Sequence, residues 1–384
     1  MSPSVNRGVH LLGVAAGLLA ATLPAFGCGD PVDEASIPAA TRNAAADRPT
    51  QGLPSRWLIP PQPSLEPPLA APVAIDVDIA RGRLYLLELQ PPEVRVYDLA
   101  DGSLVEELGG EGDGPGEYRF PVDLAVNSSG TAAVLLMNGR VVYWRPDGTL
   151  AGEVRVGTGL ATDLLAAVGD TFYVKSDLFP PHDESEFRIV TPDTALAKAR
   201  FSDDGIASLE EPASLTKNHS YAVAGTPTGD VLLSPLGPDY LIHRMGPDGE
   251  LRQTISRPEV QPLVRSEDEA EAVREKVRRG FAAAGRGVPG SLRVPLYRPH
   301  ISRLAASPDG SIWALTGRGD DSTAIIDHFT PDGEFASSYS VALNVGDLAV
   351  GERSIYLLAR GALDVAGVAV VPRPHVTSER AATR

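Results

Sequence analysis

Residues 109–130 read GGEGDGPGEYRFPVDLAVNSSG, and the fold turns on how this stretch is read. Five glycines and two prolines fall within residues 109–121, ahead of the short apolar run VDLAV and the turn SSG. A phosphate-cradling loop would need a helix directly after the glycines and a Gly-Lys-Ser/Thr ending, and neither is present. A calcium loop would need oxygen ligands at regular spacing; Glu111, Asp113 and Glu117 do not form the twelve-residue pattern. The remaining reading is a connector between strands. Glycines supply positive φ and close passage to a neighbour, Pro115 and Pro121 fix φ and end pairing, and Tyr118 is placed to anchor the loop.

From residue 73 onward, short apolar runs of strand length alternate with turn dipeptides. The turn aspartates Asp101, Asp147, Asp193, Asp248 and Asp332 are spaced 46, 46, 55 and 84 residues apart. A period of about 40–50 residues with four strands per unit marks a β-propeller. Five units read as four strands each, from AIDVDI, LYLL, EVRVY and LVEE to SRLAA, SIWAL, AIIDHF and FASSYSV. The sixth has DLAV, SIYLL and GVAVV and lacks a fourth strand, which RWLI (56–59) can supply from the other end of the body. The last interval contains an insertion at 257–300. There Ser266-Glu267-Asp268-Glu269 is a capping-box pattern, and Ala270, Val273, Val277 and Phe281 follow at helical spacing. The expectation is an all-β, six-bladed β-propeller of four-stranded blades, closed by an N-terminal strand, with one helical insertion between blades 4 and 5.

The 384 residues are 43% hydrophobic and 22% charged, ordinary globular composition. A formal net charge of -16 argues against nucleic acid as a partner. The single cysteine, Cys28, excludes an intrachain disulfide and a thiolate zinc site. Ahead of it, Arg7, an apolar stretch from Leu11 to Leu23 and small residues form the pattern of a secretory signal over 1–27. Ala25-Phe26-Gly27 before Cys28 resembles a bacterial lipoprotein processing site, which implies an acylated Cys28 and a membrane anchor. Ala25 and Gly27 also satisfy the small-x-small rule of ordinary signal peptidase, so plain secretion remains the other reading. Residues 28–52 have no aromatics and no apolar period and read as a disordered tether. The propeller is expected over 53–374, with a tail at 375–384.

Gly112, Gly114, Pro115, Gly116 and Glu117, then the aromatic Tyr118, Pro121, an apolar strand and a glycine turn, resemble the NHL-type six-bladed β-propeller family. RLAASPDGSIWAL (303–315) resembles a blade core of the same family. The resemblance spans 53–374 and implies a fold, not a chemistry.

In such a ring the connections into each innermost strand converge around the channel mouth. Arg119, Asp123, Asp163, Lys217, His219, Arg298, His300 and Arg303 lie at those connections. They form the expected ligand-binding set, with the insertion helix as a lid. A mixed ring of Arg, Lys, His and Asp suits a small polar or anionic ligand, or an unknown partner protein. His243 and His328 fall late in their strands and read as edge residues. The expected function is a binding or scaffold module, monomeric, with no cofactor. The rival is an enzyme resembling the lactonase or lyase propellers, with a metal on the axis held by His219, His300, Asp123 and Asp163.

Overall fold

A computed structural model describes residues 39–42, 50–62, 69–156, 160–166, 171–177, 184–192, 194–202, 222–235, 237–248, 250–283, 294, 296–361 and 364–374. The expected signal segment, Cys28 and the tail at 375–384 lie outside the described residues.

Three short strands come first: β1 (Ala39–Arg42), β2 (Gln51–Gly52) and β3 (Arg56–Ile59). The first sheet follows, with β4 (Pro72–Asp78), β5 (Arg83–Leu89), β6 (Pro92–Asp98) and β7 (Leu104–Leu108). The second has β8 (Pro121–Val126), β9 (Ala132–Leu136), β10 (Arg140–Trp144) and β11 (Leu150–Arg155). The third has β12 (Leu160–Ala166), β13 (Phe172–Asp177), β14 (Glu184–Thr191) and β15 (Thr194–Ser202). The fourth has β16 (Ala222–Gly225), β17 (Val231–Ser234), β18 (Leu241–Met245) and β19 (Leu251–Ser256), after which comes the helix α1 (Glu267–Ala283). The fifth has β20 (Ile301–Ala306), β21 (Ile312–Thr316), β22 (Ala324–Phe329) and β23 (Phe335–Val341). The last has β24 (Asn344–Val350), β25 (Ser354–Arg360) and β26 (Ala366–Pro372).

Within each sheet the strands from β4 onward form an antiparallel meander in chain order, because consecutive strands are joined by tight turns. The first strands of successive sheets pack on one another, β4 on β8, then β12, β16, β20 and β24, and β24 returns to β4. The chain is thus an all-β β-propeller with one helix. Second strands are buried on both faces: every residue of β9 (AAVLL) and β21 (IWALT) is buried. That burial explains their unbroken apolar character. Apolar clusters lie between neighbouring sheets, for example Leu87, Val94 and Leu108 against Leu124, Val134 and Val142.

The opening stretch is a connector from β7 to β8, folded over the second sheet. Tyr118 is fully buried in the cluster between the first two sheets, and its hydroxyl accepts from Trp144 Nε1 at 2.5 Å. Gly109, at φ +87°, packs against the Tyr118 ring where any side chain would collide. The loop's polar groups are satisfied locally. Gly114 N–H donates to Glu117 Oε2 (2.7 Å) and Gly116 N–H to Glu153 Oε1 (2.6 Å). The Arg140 guanidinium donates to the carbonyls of Asp113, Gly114 and Glu117. Amides that could have cradled a phosphate are therefore already used.

β3 pairs antiparallel with β26 (Ile59 opposite Val368, Trp57 opposite Ala369) and so supplies the last sheet's fourth strand. The residues before it differ from the expected tether. β1 pairs parallel with β19 and β2 parallel with β23, so each lengthens a sheet by a fifth strand. The absence of an apolar period is no obstacle, because an outermost strand offers unpaired backbone groups that any sequence can match.

The capping box at α1 forms as expected: Ser266 N–H donates to Glu269 Oε2 (2.7 Å) and Glu269 N–H to Ser266 Oγ (3.2 Å). Ala270 is buried and Val273 half-buried; the side chains of Val277 and Phe281 lie outside the described set. The outward face is laced by ion pairs of Arg274 and Arg278 with Glu267, Glu271 and Glu275.

Candidate functional site

A cavity of about 700 Å3 occupies the axis, lined by the first strands β4, β8, β16, β20 and β24. Five first strands carry the same irregularity. One residue is skipped in the ladder, and the next stands opposite its neighbour: Ala74 opposite Leu87, Asp123 opposite Leu135, Asp163 opposite Lys175, Arg303 opposite Leu315, Asp347 opposite Leu358. Such a bulge re-aims a side chain and increases local twist. At this repeated position the chain places a charged residue in four of five cases, inside strands that are mostly apolar.

Because the first strands cannot pair with one another, their axis-facing N–H groups need acceptors. The carboxylates supply some. Asp347 Oδ2 accepts from Ile75 N–H at 2.9 Å and Asp76 Oδ2 from Val126 N–H at 2.7 Å, each reaching the next sheet around the ring. Asp76 Oδ1 also accepts from Val77 N–H (2.8 Å) and Asp123 Oδ1 from Leu124 N–H (2.9 Å). Arg303 Nε stands 3.2 Å from Asp347 Oδ1. Burial pushes Asp76 up to about 7; its two N–H bonds oppose the rise, and Asp347 and Asp78 add to it. Burial likewise raises Asp347, against the pull of Arg303. The wall therefore combines half-wet carboxylates, one guanidinium and aliphatic side chains.

Of the expected binding set, the structure brings Asp123 and Arg303 together on the cavity wall. Asp163 occupies the matching register position in β12, and its side chain lies outside the described set. Lys217 and His219 lie outside the described residues. Arg119 is exposed and pairs with Asp113 at 3.1 Å within its own connector. Arg298 pairs with Glu269 at 3.3 Å, tying the end of the insertion to the start of α1. His300 is 1% exposed, with Nε2 3.0 Å from the Pro238 carbonyl and its ring 5.7 Å from that of Tyr240. It is part of the packing between the fourth and fifth sheets rather than of the cavity wall. His328, expected at an edge, is buried and stacked on Trp313 at 4.0 Å; burial and nearby Arg373 push its imidazole down to about 4. Among the described residues, no three His, Cys, Asp or Glu side chains converge to hold a metal ion. Asp76 and Asp347 were not singled out from the sequence. The signal for both was available, an acidic residue inside an apolar first strand (AIDVDI, DLAV).

No protein-family model and no curated protein matches the sequence. Solved structures do. A member of the DUF4221 family from Bacteroides vulgatus is similar at 8% identity and TM-score 0.57, over 85% of this chain and 97% of that one. A Bacteroides fragilis protein described as exported is similar at 12% identity and TM-score 0.54, over 88% and 99%. The WD40 repeats of RRP9 are similar at 10% identity and TM-score 0.50, over 85% and 98%. At these identities the likeness is one of fold, and the fold is the β-propeller.

Proposed function

We propose that the chain is an exported, lipid-anchored, NHL-type six-bladed propeller that acts as a binding or scaffold module, taking a small polar ligand in the axial cavity. Each of the six sheets counts as one blade, and β3 fastens the last to the first. The anchor rests on the signal pattern and on Cys28 behind Ala25-Phe26-Gly27. The observation that carries the binding reading is the recurrence of charged residues at one bulge position around one cavity. The wall's balance, Asp76, Asp123 and Asp347 against Arg303, favours a neutral polar or cationic group over an anion.

The test is a thermal-shift panel of small amines, polyols and carboxylic acids on the full chain and on Arg303→Ala and Asp123→Asn. A ligand that binds only the folded state raises the melting temperature. The expected result is stabilisation by amines or polyols that either substitution abolishes. A panel in which every shift survives both substitutions overturns the reading. Chelator-sensitive hydrolysis of a lactone would replace it with the enzymatic alternative.

A further inference from the structure

A second cavity, of about 650 Å3, lies among the tight turns that follow β20, β22 and β24 and the end of β26. Pro308 and Glu352 line it and the axial cavity alike, so the two lie side by side. Most polar groups of its wall are already engaged. Arg373 Nη2 bonds Asp309 and Ser311 Oγ (3.1 Å), and its Nη1 donates to the carbonyls of Gly351 (3.3 Å) and Glu352 (3.1 Å). Asp309 also accepts from Ser307 Oγ and from Ser311 N–H at 3.0 Å. His328 is the exception. It lines the cavity and is 2% exposed, and neither ring nitrogen has a hydrogen-bond partner among the described residues. The Trp313 ring, 4.0 Å away and 13° from parallel, holds the plane of the imidazole. Buried polar atoms in folded proteins are nearly always met, so two unmet nitrogens at a cavity wall call for an occupant.

The chemistry of the wall selects the class of occupant. Burial and Arg373 keep the imidazole neutral, so one nitrogen carries a proton and the other a lone pair. A carboxylate would serve only the N–H and would face the exposed Glu352. An ammonium would serve only the lone pair, beside the same Arg373 charge that disfavours the imidazolium. A hydroxyl both donates and accepts, so it suits either nitrogen, and a molecule with several hydroxyls can meet both. Pro308, Pro331 and Pro374 add apolar surface for its carbon skeleton. We propose that this cavity is a second binding site, separate from the axial one, for a small neutral polyol or sugar whose hydroxyls partner the His328 ring.

Histidine ring-nitrogen NMR on the full chain tests this, with glucose as probe and acetate, methylammonium and acetamide as controls. The signal lost in His328→Phe identifies the resonance. Glucose shifts that signal saturably, and the three controls leave it in place. Pro331→Trp, a change at an exposed lining residue that fills the cavity with a ring, abolishes the shift. Arg303→Ala, at the axial cavity, leaves it unchanged, so failure of the axial reading and failure of this one are told apart. His328→Phe keeps an aromatic ring against Trp313 and, followed on the glucose signals, weakens binding about tenfold, the loss of one hydrogen bond. Absence of a His328 shift with glucose overturns the proposal, as does a shift that any control matches or one that survives Pro331→Trp. A glucose shift lost in Arg303→Ala assigns the sugar to the axial cavity and overturns it too.

Discussion

At the joint between the last sheet and the first, the contact is a layer of aliphatic surface: Leu58 and Ile59 of β3 lie in one buried cluster with Ile75, Leu84, Leu86, Val368 and Val370. Its one described polar crossing is Asp347 to the Ile75 N–H. At the joint between the fourth sheet and the fifth, an apolar cluster is also present, but charge runs through it. Asp327, fully buried, accepts from Arg257 Nη1 at 2.9 Å, from Arg318, and from Ser338 Oγ at 2.5 Å. The Arg257 guanidinium lies 3.7 Å from the centre of the Phe335 ring, and its Nε donates to Glu259 at 2.7 Å. The first joint is held by shape-tolerant apolar contact; the second depends on a directional network. A joint made by residues some 300 positions apart is served by surface that fits many arrangements. A joint that also carries the insertion is fixed in one geometry by ions that fit few.

The comparison predicts an order of damage. Asp327→Ala removes the shared acceptor and leaves two arginines facing a buried void, which costs about 4 kcal/mol. Ile59→Ala at the closing joint trims a buried aliphatic side chain and costs about 3 kcal/mol. Urea unfolding of both variants reads the difference; a larger loss for Ile59→Ala breaks the contrast. The last prediction concerns the carboxylates at the axis and is read as a pH slope. Asp76 titrates near 7 in the folded chain and near 3.8 when exposed. Between those values the folded protein holds a proton that the unfolded chain has lost, so stability falls as pH rises from about 4 to 7. Asp347, also raised, acts in the same direction at the closing joint. In Asp76→Asn the decline in melting temperature across that window is shallower and not abolished, since Asp347 remains. An unchanged slope would remove Asp76 from the account.

Much of the fold was legible because propeller strands are local: tight turns at Asp101, Asp147 and Asp332 and runs such as AAVLL carry their own signal. RWLI could be placed by arithmetic, since a sheet short of one strand and a strand without a sheet imply each other. β1 and β2 were not legible. They join their sheets mainly through backbone pairing, with one side-chain bond from Gln253 Nε2 to Thr41 Oγ1 (2.7 Å), and AATR and QG have no pattern that burial would impose. The site was half legible. Asp123 and Arg303 could be found because they follow connectors. His300 stands in the same sequence position yet turns into the packing around Tyr240, a choice made by neighbours about 60 residues away. Asp76 was hidden because a carboxylate in an apolar strand makes sense only once the next sheet presents the Val126 N–H.

The pairing of β3 with β26 has a consequence for synthesis. Ile59 leaves the ribosome some 300 residues before its partner Val368, so the nascent chain must carry an unpartnered apolar strand through almost the whole of translation. Any stop codon ahead of residue 366 would release a product with that strand still orphaned, a natural target for quality-control proteases.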